Sequence, residues 1–134
     1  MKPKIIISSL DAERVHALLE GLAATFPGRD ALEDELLRAE VVEPQHMPPQ
    51  IVTMNSTVRF QVSGSQETFT LTLVYPKDMD ATGEKISVLA PVGSALLGLA
   101  QGDEIEWPKP GGGVLRVRIV EVVYQPERDR AYHR

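Results

Sequence analysis

The period of the apolar residues changes once along this chain, and that change restricts the folds open to it. Before Pro44, residues Val15, Leu18, Leu19 and Leu22 recur at i, i+3, i+4 and i+7, the spacing of one helical face. After Ile51, Val58-Arg59-Phe60-Gln61-Val62 and Thr68-Phe69-Thr70-Leu71-Thr72-Leu73 alternate apolar and polar, the period of a strand with one buried face. Between them, Glu43-Pro44-Gln45-His46-Met47-Pro48-Pro49 carries three prolines in seven residues and reads as a semi-rigid connector. The expected fold class is therefore α+β. Residues 1–43 form a short N-terminal helical hairpin, 44–50 a Pro-rich linker, and 51–134 a small antiparallel sheet carrying one short helix.

Local signals refine this outline. Ser9 or Asp11 is placed to cap the first helix with a side-chain oxygen. Phe26-Pro27-Gly28 breaks it. A second helix is expected from Asp30 to about Val41, with Leu32, Leu36 and Ala39 inward and Glu33, Glu35 and Glu40 outward. Each arm would be about 20 Å long at 1.5 Å per residue, and so short a pair must pack on its neighbour to persist. In the second part Ser63-Gly64-Ser65 is turn chemistry. Lys85–Leu89 and Glu104–Trp107 are shorter strand candidates, and Ser94–Leu99 the one helix. Leu115, Val117 and Ile119 share one parity, whereas Val120, Val122 and Tyr124 share the other. A bulge near Val120, or a strand buried on both faces, accounts for the switch.

Composition closes several functional classes. With no cysteine, disulfide frameworks, thiol catalysis and cysteine-ligated zinc are excluded. No apolar run approaches the roughly 18 residues of a membrane span, and Ile5-Ile6-Ile7 falls far short of a signal-peptide core of about 7–15 residues, so a cytoplasmic location is expected. The net charge is −5, with five basic and nine acidic residues in 1–47 against nine and ten in 48–134. Such a chain is poorly equipped to grip nucleic-acid phosphates, and a partner with a basic patch suits it better. His16, His46 and His133 have no convergent partners and read as solvated surface residues. Gly111-Gly112-Gly113 lacks the Lys-Ser/Thr ending of a phosphate loop and reads as a tight hairpin. Asp30, Glu33 and Asp34 form the most suggestive chemical group. Paired carboxylates can hold magnesium, but at a helix start they also complement the dipole, and this second reading is the expectation. No catalytic residue, metal or cofactor is expected.

One string carries more. Gly83-Glu84-Lys85-Ile86-Ser87-Val88-Leu89-Ala90-Pro91-Val92-Gly93-Ser94-Ala95-Leu96-Leu97-Gly98-Leu99-Ala100-Gln101-Gly102-Asp103-Glu104-Ile105 closely resembles the C-terminal domain of the Gre transcript-cleavage factors, whose signature is a Lys-Ile-Ser strand, a Ser-Pro-Ile-Gly turn, Ala-Leu-Leu-Gly and Gly-Asp. Val74-Tyr75-Pro76 and Pro110-Gly111-Gly112 match further landmarks in order, and the resemblance covers roughly Val52 to Tyr124. Leu10-Asp11-Ala12-Glu13-Arg14, Val52-Thr53-Met54-Asn55-Ser56 and Leu73-Val74-Tyr75-Pro76 resemble the Rnk subgroup, the regulators of nucleoside diphosphate kinase.

The resemblance implies an antiparallel coiled coil followed by an FKBP-like α+β domain. It also implies a partner, RNA polymerase, met at the rim of the secondary channel by a loop corresponding to Ala90, Pro91, Val92, Gly93 and Ser94, where Gre-type factors would compete. Leu96 and Leu97 read as core beneath that loop. Ser94 stands where the family commonly has a basic residue, and Leu99 where it has a lysine. Gre hairpins are nearly twice as long and hold a catalytic magnesium through an acidic pair at the tip. Asp30, Glu33 and Asp34 share that tip's acidity without aligning to its motif, so no stimulation of transcript cleavage is expected. The implied function is a monomeric polymerase-binding regulator without enzymatic activity, membrane contact or sequence-specific nucleic-acid binding. Control of nucleoside diphosphate kinase, by direct contact or through transcription, is the alternative. An isomerase reading has only fold analogy behind it, and one Trp, three Tyr and three Phe supply few aromatics for a proline pocket.

Overall fold

The computed structural model describes residues 4–23, 25, 26, 28–62, 67–108 and 112–130. In the first part, strand β1 (Ile6–Ser8) runs directly into helix α1 (Ser9–Glu20), and helix α2 (Arg29–Arg38) leads into strand β2 (Glu40–Val42). The two strands pair in parallel, with Ile7 opposite Val41. Neither strand stands out in the sequence, because three residues are too few to establish an alternation.

The cap of α1 is neither candidate but Ser8, one residue before Ser9: its Oγ accepts from the Asp11 amide at 3.0 Å. Asp11 is thereby released to face inward with Val15 and Leu19. Helix α2 stops at Arg38, where Ala39 turns extended, and β-branched Val41 and Val42 suit the strand that follows. Leu32 is buried as expected, but so is Glu35, which is only 4% exposed. Its Oε2 accepts from Arg38 Nε at 2.8 Å, so its charge enters the interior already paired.

The second part is a five-stranded sheet in the order β5-β4-β3-β7-β6. Its strands are β3 (Thr57–Val62), β4 (Thr68–Val74), β5 (Lys85–Ser87), β6 (Glu104–Pro108) and β7 (Val114–Tyr124), with helix α3 (Pro91–Leu96) between β5 and β6. The β3–β4, β3–β7 and β6–β7 pairs are antiparallel. The β4–β5 pair is parallel, so the sheet is mostly rather than wholly antiparallel. Helix α3 begins three residues before the expected Ser94, since Pro91 at its first position has the φ a helix needs and no amide to leave unpaired. The expected turn at Ser63-Gly64-Ser65, and Gly111 of the glycine run, lie outside the described residues.

The parity switch in β7 is a bulge. Arg59 pairs with Glu121 and Phe60 with Ile119, so Val120 is skipped; a second shift skips Val123. Both skipped side chains are exposed, and Ile119 and Val122 consequently face the same core.

That core crosses the Pro-rich connector. Ile5, Ile7, Val15, Leu19 and Leu32 belong to one buried cluster with Val52, Met54, Phe60, Leu73, Leu96, Leu99, Trp107 and Ile119. Gly98 forms the seam. Its φ is +85°, its carbonyl accepts from the Ile6 amide at 3.1 Å, and a Cβ there would stand 2.8 Å from Ile5 Cβ. The α1–α2 pair is therefore packed onto the sheet domain through β1. No helix among the described residues is long and apolar enough to cross a membrane.

Candidate functional site

Residues 85–96 form a corner in which β5 turns into α3. The Ala90 amide donates to the Ser87 carbonyl at 3.0 Å, and the Ser94 amide to the Ala90 carbonyl at 2.8 Å. Ala90, Pro91 and Val92 are half-buried and form the outer edge. Gly93 and Ser94 are not surface groups. The Ser94 Oγ, 4% exposed with its residue, donates to the Val88 carbonyl at 2.6 Å. A Cβ on Gly93 would lie 2.0 Å from the Ser87 carbonyl oxygen. The glycine is required by close approach rather than by a sharp bend, since its φ is not positive. The five residues singled out in the sequence are thus brought together but divided: Ala90, Pro91 and Val92 are available for contact, and Gly93 and Ser94 hold them from beneath. Leu96 and Leu97 are buried.

The acidic trio occupies the first turns of α2. Asp30 and Asp34 are exposed and Glu33 half-buried. Arg29 Nη1 stands 3.2 Å from Glu33 Oε2 and 3.7 Å from Asp30 Oδ1, so two of the three carboxylates share a cation. The same Arg29 donates through Nε to the Leu19 carbonyl at 3.2 Å, tying the start of α2 to the end of α1. Among the described residues no group of three or more His, Cys, Asp or Glu side chains is arranged to hold a metal. His16 is exposed beside Glu20 and His46 is exposed; His133 lies outside the described residues.

A second locus is not legible in the sequence. Where α1 meets the sheet domain, Arg14, Ala17 and Leu18 face Asn55, Tyr75, Pro76, Lys77 and Asp78 across a pocket of about 840 Å³. Beneath it, Asp11 is 2% exposed and accepts the Met54 amide on Oδ2 at 3.0 Å, bridging the two parts of the chain. Burial pushes its carboxyl up to about 7, with Glu127 adding to the rise, against the Met54 amide, Arg14 and Ser8. Burial likewise raises Glu127, which accepts from Thr53 Oγ1 at 2.8 Å, and pushes the Tyr75 phenol up.

The sign of the pH dependence comes from linkage. Between the unfolded value of 3.8 and about 7 the folded state holds the Asp11 proton and the unfolded state has lost it. Stability from this group is therefore full below pH 3.8 and falls as pH rises through 7. An Asp11→Asn variant keeps an oxygen for the Met54 amide and no longer ionises. Its stability relative to the parent chain is expected to rise by about 2–3 kcal/mol between pH 5 and pH 8, read from urea midpoints. A constant difference would place Asp11 in solvent.

Similarity to known proteins divides along the same two parts. Residues 47–124 match the family described as transcription elongation factor, GreA/GreB, C-term. Residues 3–42 match the family described as Rnk N-terminus. The chain is 49% identical over 127 residues to a "Regulator of nucleoside diphosphate kinase" from Escherichia coli (strain K12), covering 94% of this chain and 93% of that protein. It is 29% identical over 129 residues to a "Transcription elongation factor GreA" from Bartonella henselae, covering 89% and 82%. A solved structure titled "Prokaryotic transcription elongation factor GreA/GreB from Nitrosomonas europaea" superposes with a TM-score of 0.73 at 77% identity, covering 92% of this chain and all of that one.

Proposed function

Because this chain belongs to the GreA/GreB transcription elongation factor family, and within it to the Rnk group, we propose that it regulates transcription by occupying RNA polymerase at the rim of the secondary channel. The observation that carries this reading is the 90–92 corner: an uncharged edge with Pro91 at its centre, seated on a floor too tightly packed to yield. A rigid apolar edge loses little conformational freedom on binding. Residues 51–134, an FKBP-like body, carry that edge; residues 1–43 are an antiparallel helical arm set against the body, and 44–50 connect them. Regulation is by mass action against Gre-type factors that use the same rim, with no chemistry of its own.

Arm length supports the absence of cleavage stimulation. Helices of 12 and 10 residues are about 18 and 15 Å long, and two of the three acidic groups at the start of the second are paired with Arg29. The test is binding of core RNA polymerase with and without a competing Gre-type factor. Mutually exclusive binding is expected, together with transcript cleavage at background level in a purified assay on stalled complexes. Simultaneous binding would remove the rim as the site, and stimulated cleavage would overturn the inert-arm reading. A second reading rests on the 49% identity to a protein named for nucleoside diphosphate kinase: direct contact with that kinase. A pull-down against each partner separates the two.

A further inference from the structure

Three segments distant in the chain, Leu10–Arg14, Val52–Ser56 and Leu73–Pro76, converge at the pocket between α1 and the sheet domain. Arg14, Asn55, Tyr75 and Pro76 from them line it, together with Lys77, while Ala90, Pro91 and Val92 do not. The pocket is therefore separate from the edge assigned to polymerase, and its role is independent of that assignment. Its volume, about 840 Å³, lies within the range of small-ligand sites.

Its chemistry is sorted. In a chain of net charge −5, two cations from different elements, Arg14 on α1 and Lys77 in the turn after β4, line one concavity. Ala17, Leu18 and Pro76 give it an apolar shelf, and Asn55 and Asp78 supply acceptors. Asn55 is held at φ +67°, a left-handed conformation that its short side chain tolerates, and its backbone N–H donates to the Leu73 carbonyl at 2.6 Å. The Tyr75 ring forms part of the same wall, with its hydroxyl buried behind it beside Arg14, whose charge and hydrogen bond work against the rise that burial gives the phenol.

We infer that this pocket binds a small phosphate ester, its phosphate held between Arg14 and Lys77 and its organic body lying on Leu18 and Pro76. A guanidinium offers a planar fork of five N–H donors, so Arg14 can engage a phosphate while keeping its existing contacts. Donors on a sugar or base would meet Asn55 and Asp78. The occupant would bridge α1 to the sheet domain and tighten the junction that Asp11 and Met54 already make.

The experiment is calorimetric titration of the full chain with adenosine and guanosine monophosphate, inorganic phosphate and adenosine. At least one nucleotide is expected to bind with Kd below about 1 mM, with inorganic phosphate and adenosine each at least tenfold weaker. Arg14→Gln and Lys77→Gln should each weaken the nucleotide tenfold or more. Lys77 is exposed, so its variant tests the site even if Arg14→Gln disturbs the junction. Binding by no phosphate probe, binding of inorganic phosphate as strong as the nucleotide, or nucleotide binding unaltered in Lys77→Gln would each overturn the assignment.

Discussion

Replacing Gly93 with alanine is expected to cost about 3 kcal/mol or more of folding stability, although it adds a single methyl group. The added carbon would stand 2.0 Å from the Ser87 carbonyl oxygen and 2.9 Å from its carbon, both backbone atoms of β5. A flexible side chain could swing away from such a clash. Here β5 would have to separate from α3, and overpacking of that kind costs on the order of 1–3 kcal/mol or more. Gly21→Ala is the matched control, since its added carbon meets nothing closer than 3.6 Å. Urea denaturation of the two variants should show a large fall in midpoint for the first and little change for the second. Equal midpoints would mean that the corner is looser than its geometry implies.

Substituting Val92 with aspartate is expected to weaken RNA polymerase binding by at least tenfold, about 1.4 kcal/mol, while the chain remains folded. Val92 is half-buried and packs against the core from outside it, so the new carboxylate can turn to solvent in the free protein. Pressed against a partner it would lose that water without gaining a counter-charge. Val123→Asp is the control, because Val123 sits on the second bulge of β7, 44% exposed and outside the corner. Unchanged affinity in Val92→Asp, or an equal loss in Val123→Asp, would remove the corner from the interface. Melting curves separate lost contact from lost fold.

Much of the fold is legible in the sequence because periodicity reports burial. Val15, Leu19 and Leu32 are buried, Val58 and Phe60 face the core, and the parity change after Ile119 marks the bulge at Val120. Features set by single contacts leave no such trace. Asp11 lies at i−4 from Val15 and i−8 from Leu19, which places it on the buried face of α1. A carboxylate there reads as a cap until the Met54 amide that it receives is in view, 43 residues away. Glu35 reads outward for the same reason, since a charge is sent to solvent unless its partner is known, and Arg38 is that partner. The edge proposed for contact is legible only through the family string. No local pattern distinguishes Ala90, Pro91 and Val92, which meet solvent, from Gly93 and Ser94, which do not. The pocket around Arg14, Tyr75 and Lys77 has no signal of its own, because it exists only where two parts of the chain meet.

The parallel pairing of β1 with β2 makes the helical arm a ruler of adjustable length. Ile6 opposite Glu40 and Ser8 opposite Val42 fix the entrance and exit of the arm beside each other, whatever lies between. Seven residues added to each helix next to the connection at 21–28 would extend the reach by about 10 Å. Such an insertion would leave β1, the Gly98 seam and the 90–92 corner where they are. Reach and attachment can therefore change independently, so a lineage could lengthen the arm to reach a distant site or shorten it to leave only the footprint, without rebuilding the base.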